Sequence, residues 1–285
     1  MVVKREKERT TVWEQNEKRR TIILLGVLLL VLLFIMISGS LCSQKALVSD
    51  FSQTNLPPCR AHPFGTDWLG RDMLARTLRG LSLSMIIGTL TAAASGVIAL
   101  LLGGAAAILG KKADAVISYL IDLIMGIPHI LLLVLISLAL GRGLTGVVIG
   151  IMVTHWPSLT RVIRGEILQL KESPYILVAG KLGMGKIQIA IRHMLPNVLP
   201  QFLTGTILLF PHAILHESSV TFLGFGLSAE QPAIGIILSE SMKYLIMGNW
   251  WLAVFPGAML AAVVLSFQYL GNSIRRFADP AGAHR

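Results

Sequence analysis

Residues Thr21–Leu41 read TIILLGVLLLVLLFIMISGSL, an apolar run that contains no charged side chain. A helix needs about 20 apolar residues to cross the hydrocarbon core of a bilayer. Inside the bilayer a helix also satisfies its backbone hydrogen bonds internally, which irregular chain cannot do. The stretch therefore predicts a membrane-spanning helix and decides how the rest of the sequence is interpreted.

Five further apolar runs follow, so the sequence predicts an all-α membrane protein with six transmembrane helices. The chain is 54% hydrophobic and 14% charged, whereas a soluble domain is about 25% charged. No stretch shows the alternation that is typical of a half-buried strand. The predicted spans are Thr21–Leu41, Ser82–Leu109, Val116–Leu140, Leu144–Leu159, Val198–Leu223 and Trp250–Leu270.

The net charge of +10 could indicate a nucleic-acid partner, but the placement of the basic residues favours a membrane topology. If the N-terminus is cytoplasmic, six spans leave both termini and two basic loops inside the cell. Most Lys and Arg residues then lie inside, as the positive-inside rule requires. We therefore expect cytoplasmic N- and C-termini and no nucleic-acid partner.

The predicted organisation has five parts. These are a cytoplasmic tail (1–20), the first transmembrane helix (21–41), an extracytoplasmic segment (42–80), a five-helix core (81–272) with a large loop at about 160–196, and a cytoplasmic tail (273–285). Cys42 and Cys59 both fall in the extracytoplasmic segment, where the sequence is compatible with a disulfide or with two unpaired thiols.

The loop between spans four and five contains GKLGMGKI, residues 180–187, which is close to the phosphate-binding pattern G-x-x-x-x-G-K-[ST]. The last position of that pattern offers a hydroxyl to Mg²⁺, and Ile187 has none. The first aspartate after Gly185 is Asp279, beside the C-terminus. An aspartate at the end of a nearby apolar strand, which would hold the metal, is therefore also missing, and the sequence argues against a nucleotide site.

The same loop predicts two short helices at the membrane surface. Pro174 suits the first turn of a helix, and Gly180, Gly183 and Gly185 are expected to interrupt it. A second amphipathic piece, Lys186–Leu195, is expected to end at Pro196. An ordinary interfacial loop is the alternative.

Four stretches in this order resemble the inner-membrane permease subunits of ABC importers for peptides and nickel. The loop is similar to their pattern E-A-A-x-x-x-G, nine residues, I-x-L-P, with Leu177 replacing the glutamate and His193 the isoleucine. HPFGTDWLGRDMLARTLRGLSLS (62–84) resembles the signature of the second permease subunit, with Ala75 where Ser is usual. The other two stretches are HESSVTFLGFGLS (216–228) and GNSIRRFADP (271–280).

This resemblance implies that the loop is a coupling helix seated in a cleft of a separate ATPase subunit. It further implies a second permease subunit as heterodimer partner, two cytoplasmic ATPase subunits, an extracytoplasmic substrate-binding protein and a bacterial inner (plasma) membrane. ATP and Mg²⁺ would be held by the ATPases, so we expect no enzymatic activity and no cofactor in this chain. The implied coupling residues are Leu177, Val178, Ala179, Leu182, Gly183, Leu195 and Pro196, with Met184 as a further apolar contact and Lys181 and Lys186 at the rim.

Ionisable side chains inside the spans mark the expected translocation path, because they are costly in lipid and usually face protein or water. His212 and His216 share one helix face, and imidazole is a good ligand for Ni²⁺. We therefore predict transient metal contact at these two residues, with His155 and Glu217 as further path residues.

Two other ionisable residues are expected to be structural. Asp122 lies near the inner end of its span and is expected to cap a helix or form an ion pair, and His129 stands beside Pro128.

The substrate expectation also depends on the resemblance. The nickel-type member of the family is similar to this chain at His212, at His216 and at Thr154–Trp156 (THW), whereas peptide-type members carry small residues at the two histidine positions. This predicts a nickel permease, for bare or chelated ion. The alternatives are a di- or oligopeptide permease and a permease for a metal–opine chelate. A secondary transporter is disfavoured because no inverted repeat is visible.

Overall fold

The computed structural model describes residues 2–42, 47–228 and 230–278, with residues 2–18 and 277–278 described by backbone alone. Most of the predicted C-terminal tail, including Arg285 and the end of GNSIRRFADP, lies outside the described residues. The helices are α1 (Val2–Leu41), α2 (Met73–Ile108), α3 (Lys111–Met125), α4 (His129–Ala139), α5 (Leu144–Lys171), α6 (Pro174–Lys181), α7 (Lys186–Ile189), α8 (Leu195–Phe222), α9 (Ile234–Leu245) and α10 (Trp251–Ala278).

The predicted all-α class is confirmed, since the described residues contain no strand and only an isolated bridge between Thr66 and Asp72. Within the same residues, five helices are long and apolar enough to cross a membrane, and a bent pair of helices can supply the sixth span. The five are Arg19–Leu41, Met73–Ile108, Leu144–Lys171, Lys186–Phe222 and Trp251–Arg276.

The predicted third span, Val116–Leu140, is wrong as a single helix. The chain forms α3 and α4 instead, and their axes differ by 94° across a break at residues 126–128. Proline cannot continue a helix without losing a hydrogen bond, and it disfavours helical backbone at the preceding residue. Pro128 stands at the N-cap of α4, so α4 can begin at His129 in a new direction.

Several other boundaries differ from the prediction. Helix α2 begins at Met73 rather than Ser82, because the Asp72 carboxylate caps it by accepting a hydrogen bond from the Ala75 amide (2.8 Å). Helix α5 continues past Leu159 to Lys171, so the first part of the predicted loop is helix. Helix α9 had not been predicted from the sequence.

The predicted helix end at Pro196 is also wrong. Helix α7 runs into a π-helical turn, Ala190–Met194, and from there into α8 without a break. The Leu195 amide donates to the Ala190 carbonyl across this wider turn. Proline is tolerated in membrane helices where such local adjustments satisfy the freed backbone groups.

Helix α2 is central and packs against α5, α8 and α1. Small residues allow the close approaches, as is usual between membrane helices. A Cβ atom added at Gly39 of α1 would lie 2.2 Å from the Leu78 carbonyl oxygen of α2. Ser82 links the same two helices, because its hydroxyl donates to the Met36 carbonyl (2.9 Å).

The stretch GTDWLGRDMLAR forms a buried charge network at the start of α2, here called the Asp67 network and comprising Asp67, Arg71, Arg76 and Glu240. The Asp67 carboxylate is fully buried and accepts from Arg71 Nε (2.7 Å) and Arg76 Nη1 (2.6 Å). Arg76 Nη2 donates to Glu240 on α9 (2.9 Å). The network therefore fastens the loop before α2 to α9.

Cys42 and Cys59 are both free thiols.

Candidate functional site

A cavity of about 260 Å³ lies between the α3–α4 break, α5 and α8. Four histidines line it, and the Met125 thioether and the Thr154 hydroxyl lie beside them. A neighbouring cavity of about 400 Å³ shares Met125, His129 and Thr154 and is lined by the residues of the break itself. The four histidines are His129, His155, His212 and His216.

His129, His155 and His216 form a compact group, here called the histidine cluster. Each contributes one ring nitrogen, and these three nitrogens all lie within 4.8 Å of one another. The ring centroids are 4.4 Å apart for His129 and His216, 4.7 Å for His129 and His155, and 5.2 Å for His155 and His216. Three separate helices thus bring their imidazoles to one point.

The bend after α3 places the first of these rings. His129 is the first residue of α4, so its side chain projects from the start of the redirected helix. His155 lies on α5 shortly before Pro157, and His216 lies on α8 after Pro211. The cluster therefore depends on the broken third span.

Hydrogen bonding fixes the tautomer of His155 when its ring is neutral. Its Nδ1 lies 3.0 Å from the Ile151 carbonyl oxygen, which can only accept, so Nδ1 carries the hydrogen. Nε2 then holds a lone pair. Among the described residues, neither His155 Nε2 nor His129 Nε2 has a hydrogen-bond partner, although both atoms are buried.

The predicted site residues are only partly brought together. His155, His212 and His216 line one cavity, but the close group joins His216 to His129 and His155 rather than to His212. Glu217 is buried and accepts from the hydroxyls of Ser218 (3.3 Å) and Thr221 (3.1 Å) on its own helix, away from the cavity lining.

Sequence reasoning assigned His129 a structural role and missed its place in the cluster. The available signal was the Gly126–Pro128 sequence, which marks a turn inside an otherwise helical run. Asp122 pairs with Arg161 Nη2 (2.5 Å) at the surface, so its expected ion pair is present.

The α6–α7 segment ends its first helix in a Schellman motif. Gly183 has a φ of +86°, its amide donates to the Gly180 carbonyl (3.1 Å), and the Met184 amide donates to the Ala179 carbonyl (3.2 Å). This pattern requires a left-handed residue just past the helix end. The turn lies at Gly183, whereas Gly180 remains inside α6.

Helix α6 and its C-cap carry both exposed and buried apolar side chains. Leu177 and Val178 are each 54% exposed and Leu182 is 78% exposed. Ile176 and Ala179 are buried, and Met184 packs against the core, so Met184 is not part of the exposed face. Leu195 and Pro196 are exposed at the start of α8.

Known proteins resemble this chain over most of its length. It is 30% identical over 270 residues to the dipeptide transport system permease protein DppC of Bacillus subtilis (strain 168), covering 94% of this chain and 84% of that protein. It is 31% identical to the probable D,D-dipeptide transport system permease protein DdpC of Escherichia coli (strain K12), covering 94% and 90%. Identity to the oligopeptide permease OppC of Bacillus subtilis is 30%, covering 90% and 85%.

A solved chain of the MetNI methionine ABC transporter, in inward-facing conformations, has a similar fold. The TM-score is 0.59 at 19% identity, and the match covers 72% of this chain and 97% of that chain. The family model described as binding-protein-dependent transport system inner membrane component matches residues 98–281. Its members are transporter components rather than enzymes. The chain therefore belongs to this family and is a multi-pass inner-membrane permease subunit of an ABC importer.

Proposed function

We propose that this chain forms one half of the membrane path of an importer for dipeptides or oligopeptides. The observation that carries the proposal is the similarity to permeases named for these substrates, which extends over 94% of the chain for the dipeptide protein and 90% for the oligopeptide protein. The nickel substrate expected from the histidine positions has no counterpart among these names, so peptides become the first candidate.

The proposed assembly contains a second permease subunit, two ATPase subunits and an extracytoplasmic binding protein. ATP and Mg²⁺ belong to the ATPases in this proposal, and this chain holds no cofactor of its own. The binding protein selects the substrate, so the membrane path needs only weak contacts.

We propose that the exposed face of α6, made of Leu177, Val178 and Leu182, docks into a cleft of the ATPase. These side chains belong to an eight-residue helix, too short to span a bilayer. Burying them removes apolar surface from water at about 25 cal/mol per Å². The Schellman turn at Gly183 fixes the direction in which the next helix leaves, so motion of the ATPase can reach α8.

Charged and strained variants test this docking. Leu182→Asp should leave the complex assembled but uncouple ATP hydrolysis from uptake, with Ile246→Asp as the control, since Ile246 is also highly exposed but lies in the turn between α9 and α10. Gly183→Pro should uncouple as well, whereas Gly185→Ala should not, because Gly185 has an ordinary negative φ. An assembled Leu182→Asp complex with normal transport would exclude the docking role.

Nickel remains a second candidate because the histidine cluster lines the cavity between α4, α5 and α8. Parallel uptake separates the two candidates: cells that lack this chain are given radioactive nickel or a radiolabelled dipeptide, with and without a plasmid copy of the gene. Restoration of dipeptide uptake alone supports the peptide proposal. Restoration of nickel uptake alone contradicts it.

A further inference from the structure

We infer that His129, His155 and His216 form a binding site for a late first-row transition-metal ion. The ligand class is a divalent ion that prefers imidazole and retains open coordination positions, either as the free ion or within a small chelate. The inference rests on the proposed function only in treating the cavity as part of a transport path. The metal-binding chemistry itself does not depend on transport.

The geometry is close to that of a metal site. A metal–imidazole bond is about 2.0–2.1 Å long, so two nitrogens on one ion lie about 3 Å apart. The cluster nitrogens already lie within 4.8 Å of one another. His155 is held by its bond to Ile151, so the approach falls to the rings of His129 and His216, for which the described residues show no hydrogen bond. His129 also stands beside the break in the third span, where the backbone direction changes.

The hydrogen bonding favours metal ligation over a purely structural role. A ligating histidine usually donates its other ring hydrogen to a carbonyl or carboxylate, which holds the ring and its tautomer. His155 makes this contact through Nδ1 to the Ile151 carbonyl, and Thr154 Oγ1 lies 3.2 Å from the same nitrogen. The lone pair on Nε2 is thereby directed away from its own helix.

Two buried nitrogens also lack a partner within the described part of the chain, His155 Nε2 and His129 Nε2. Buried polar atoms are almost always hydrogen-bonded, so each exception calls for an explanation. His155 Nε2 carries a lone pair, and His129 Nε2 carries one in the tautomer whose hydrogen is on Nδ1; two lone pairs cannot bond to each other, but they can share a cation. A metal ion therefore satisfies both atoms at once.

The ligand set indicates an open and exchangeable site. Three protein ligands leave at least one position for water or another ligand, and the cavity of about 260 Å³ has room for it. The cluster contains no carboxylate, since Glu217 is bonded within its own helix. Three neutral rings do not offset the charge of a divalent ion, and a poorly solvated site makes that charge costly. An ion bound to a negatively charged chelator is therefore favoured over the free ion.

The test is a metal titration of the purified importer complex in lipid nanodiscs, isolated with a tag that contains no histidine. Co²⁺ serves as the probe because its visible spectrum reports imidazole coordination. We expect saturable binding by the wild type. His155→Gln and His216→Gln should each weaken it about tenfold or more, since loss of an outer hydrogen bond to a ligating histidine alone costs 10- to 100-fold. His193→Gln, in the π-helical turn, is the matched control and should bind like the wild type.

Titration with Ni²⁺ alone and with Ni²⁺ plus one equivalent of free histidine, whose carboxylate lowers the charge of the ion while coordination positions stay open, distinguishes the free ion from a chelate. Tighter binding of the preformed chelate supports the charge argument. The inference is overturned if the wild type binds neither Co²⁺ nor Ni²⁺, with or without histidine. It is also overturned if His155→Gln and His216→Gln both bind metal as tightly as the wild type. A complex that imports dipeptide but binds no metal contradicts this inference alone. One that binds metal but imports no peptide contradicts only the proposed function.

Discussion

The Asp67 network and the histidine cluster both bury polar side chains, but they differ in how those side chains are paired. In the network, Asp67 accepts two guanidinium hydrogen bonds and also the backbone amides of Leu69 and Arg71 (both 2.9 Å). Two arginines balance two carboxylates, although Arg71 Nη2 and Arg76 Nε make no hydrogen bond within the described residues. The cluster has three imidazoles and no balancing charge beside them.

This difference separates a structural device from a candidate site. Charges that compensate each other within the chain need no external counter-ion, so the network is electrically balanced when the protein folds, even though two of its nitrogens lack hydrogen bonds. The unpartnered imidazole nitrogens of the cluster, in contrast, are satisfied only when a ligand from outside the chain binds to them. Both regions look alike in sequence, as polar residues in or beside apolar runs, and the contacts alone tell them apart.

The largest expected effect is at the centre of the network. Asp67→Ala leaves Arg76 buried, at 2% exposure, without its principal counter-charge. Breaking a buried pair in this way costs about 3–5 kcal/mol. We expect a strong fall in assembled complex and in the midpoint of thermal unfolding in detergent. Asp50→Ala in the same loop is the control and should have a small effect, because Asp50 is exposed, its side chain bonds to Ser52, and its backbone bonds to Leu69 and Gln53 survive the substitution.

A smaller loss is expected at the edge of the network. Glu240→Gln removes one charge but keeps an oxygen that can accept from Arg76 Nη2, and Asp67 still pairs with that arginine. Because that hydrogen bond is retained, the expected cost is below about 1.5 kcal/mol, the lower value for a hydrogen bond to a charged group. Thermal unfolding of this variant, measured in parallel with Asp67→Ala, gives the cost. Equal losses in the two variants would contradict the ranking of the two carboxylates.

The histidine cluster should behave in the opposite way. His216→Leu replaces a partly buried ring, for which the described residues show no hydrogen bond, by an apolar side chain. The change leaves no hydrogen-bond partner unsatisfied, so it should be nearly neutral. We expect the free energy of unfolding to change by less than about 1 kcal/mol, whereas the affinity for Co²⁺ should fall. A loss of stability like that of Asp67→Ala would show that the cluster is structural.

The smallest effect is expected at an exposed pair. Arg161 and Asp122 are 49% and 69% exposed, and exposed pairs contribute about 0–1 kcal/mol. Arg161→Ala should therefore leave the unfolding midpoint almost unchanged. Arg164→Ala on the same helix is the comparison, since Arg164 bonds both oxygens of the less exposed Asp114. A larger effect at Arg161 would mean that burial does not determine the strength of these pairs.

The apolar runs were sufficient to predict the fold class and most of the spans. Five of the six runs are about 20 residues or longer, enough to cross a bilayer as helix, and Leu144–Leu159, with 16, reaches that length because α5 continues to Lys171. The glycine turn was also foreseeable, because Gly183 interrupts helical spacing on both sides. These features depend on residues that are close together in sequence.

The histidine cluster could not be predicted in the same way. Spacing within one helix linked His212 to His216, but contact between α4, α5 and α8 decides which rings meet. Hydropathy reports how apolar a stretch is and not where its helix axis turns. It therefore predicts Val116–Leu140 as one span and misses the 94° bend that brings His129 to His155. Pro196 misled the prediction for a related reason, since a π-helical turn absorbs it.

Helix α1 lies on the outside of the helix bundle, away from the candidate site. It packs on α2 and, more lightly, on α10, with Gly39 and Ser82 at the α2 contact. None of its residues lines the cavities beside the α3–α4 break. The family match begins inside α2, at residue 98. Substitutions on the exposed side of α1 should therefore leave the chemistry of these cavities unchanged, because α1 acts on the core only by packing on α2 and α10.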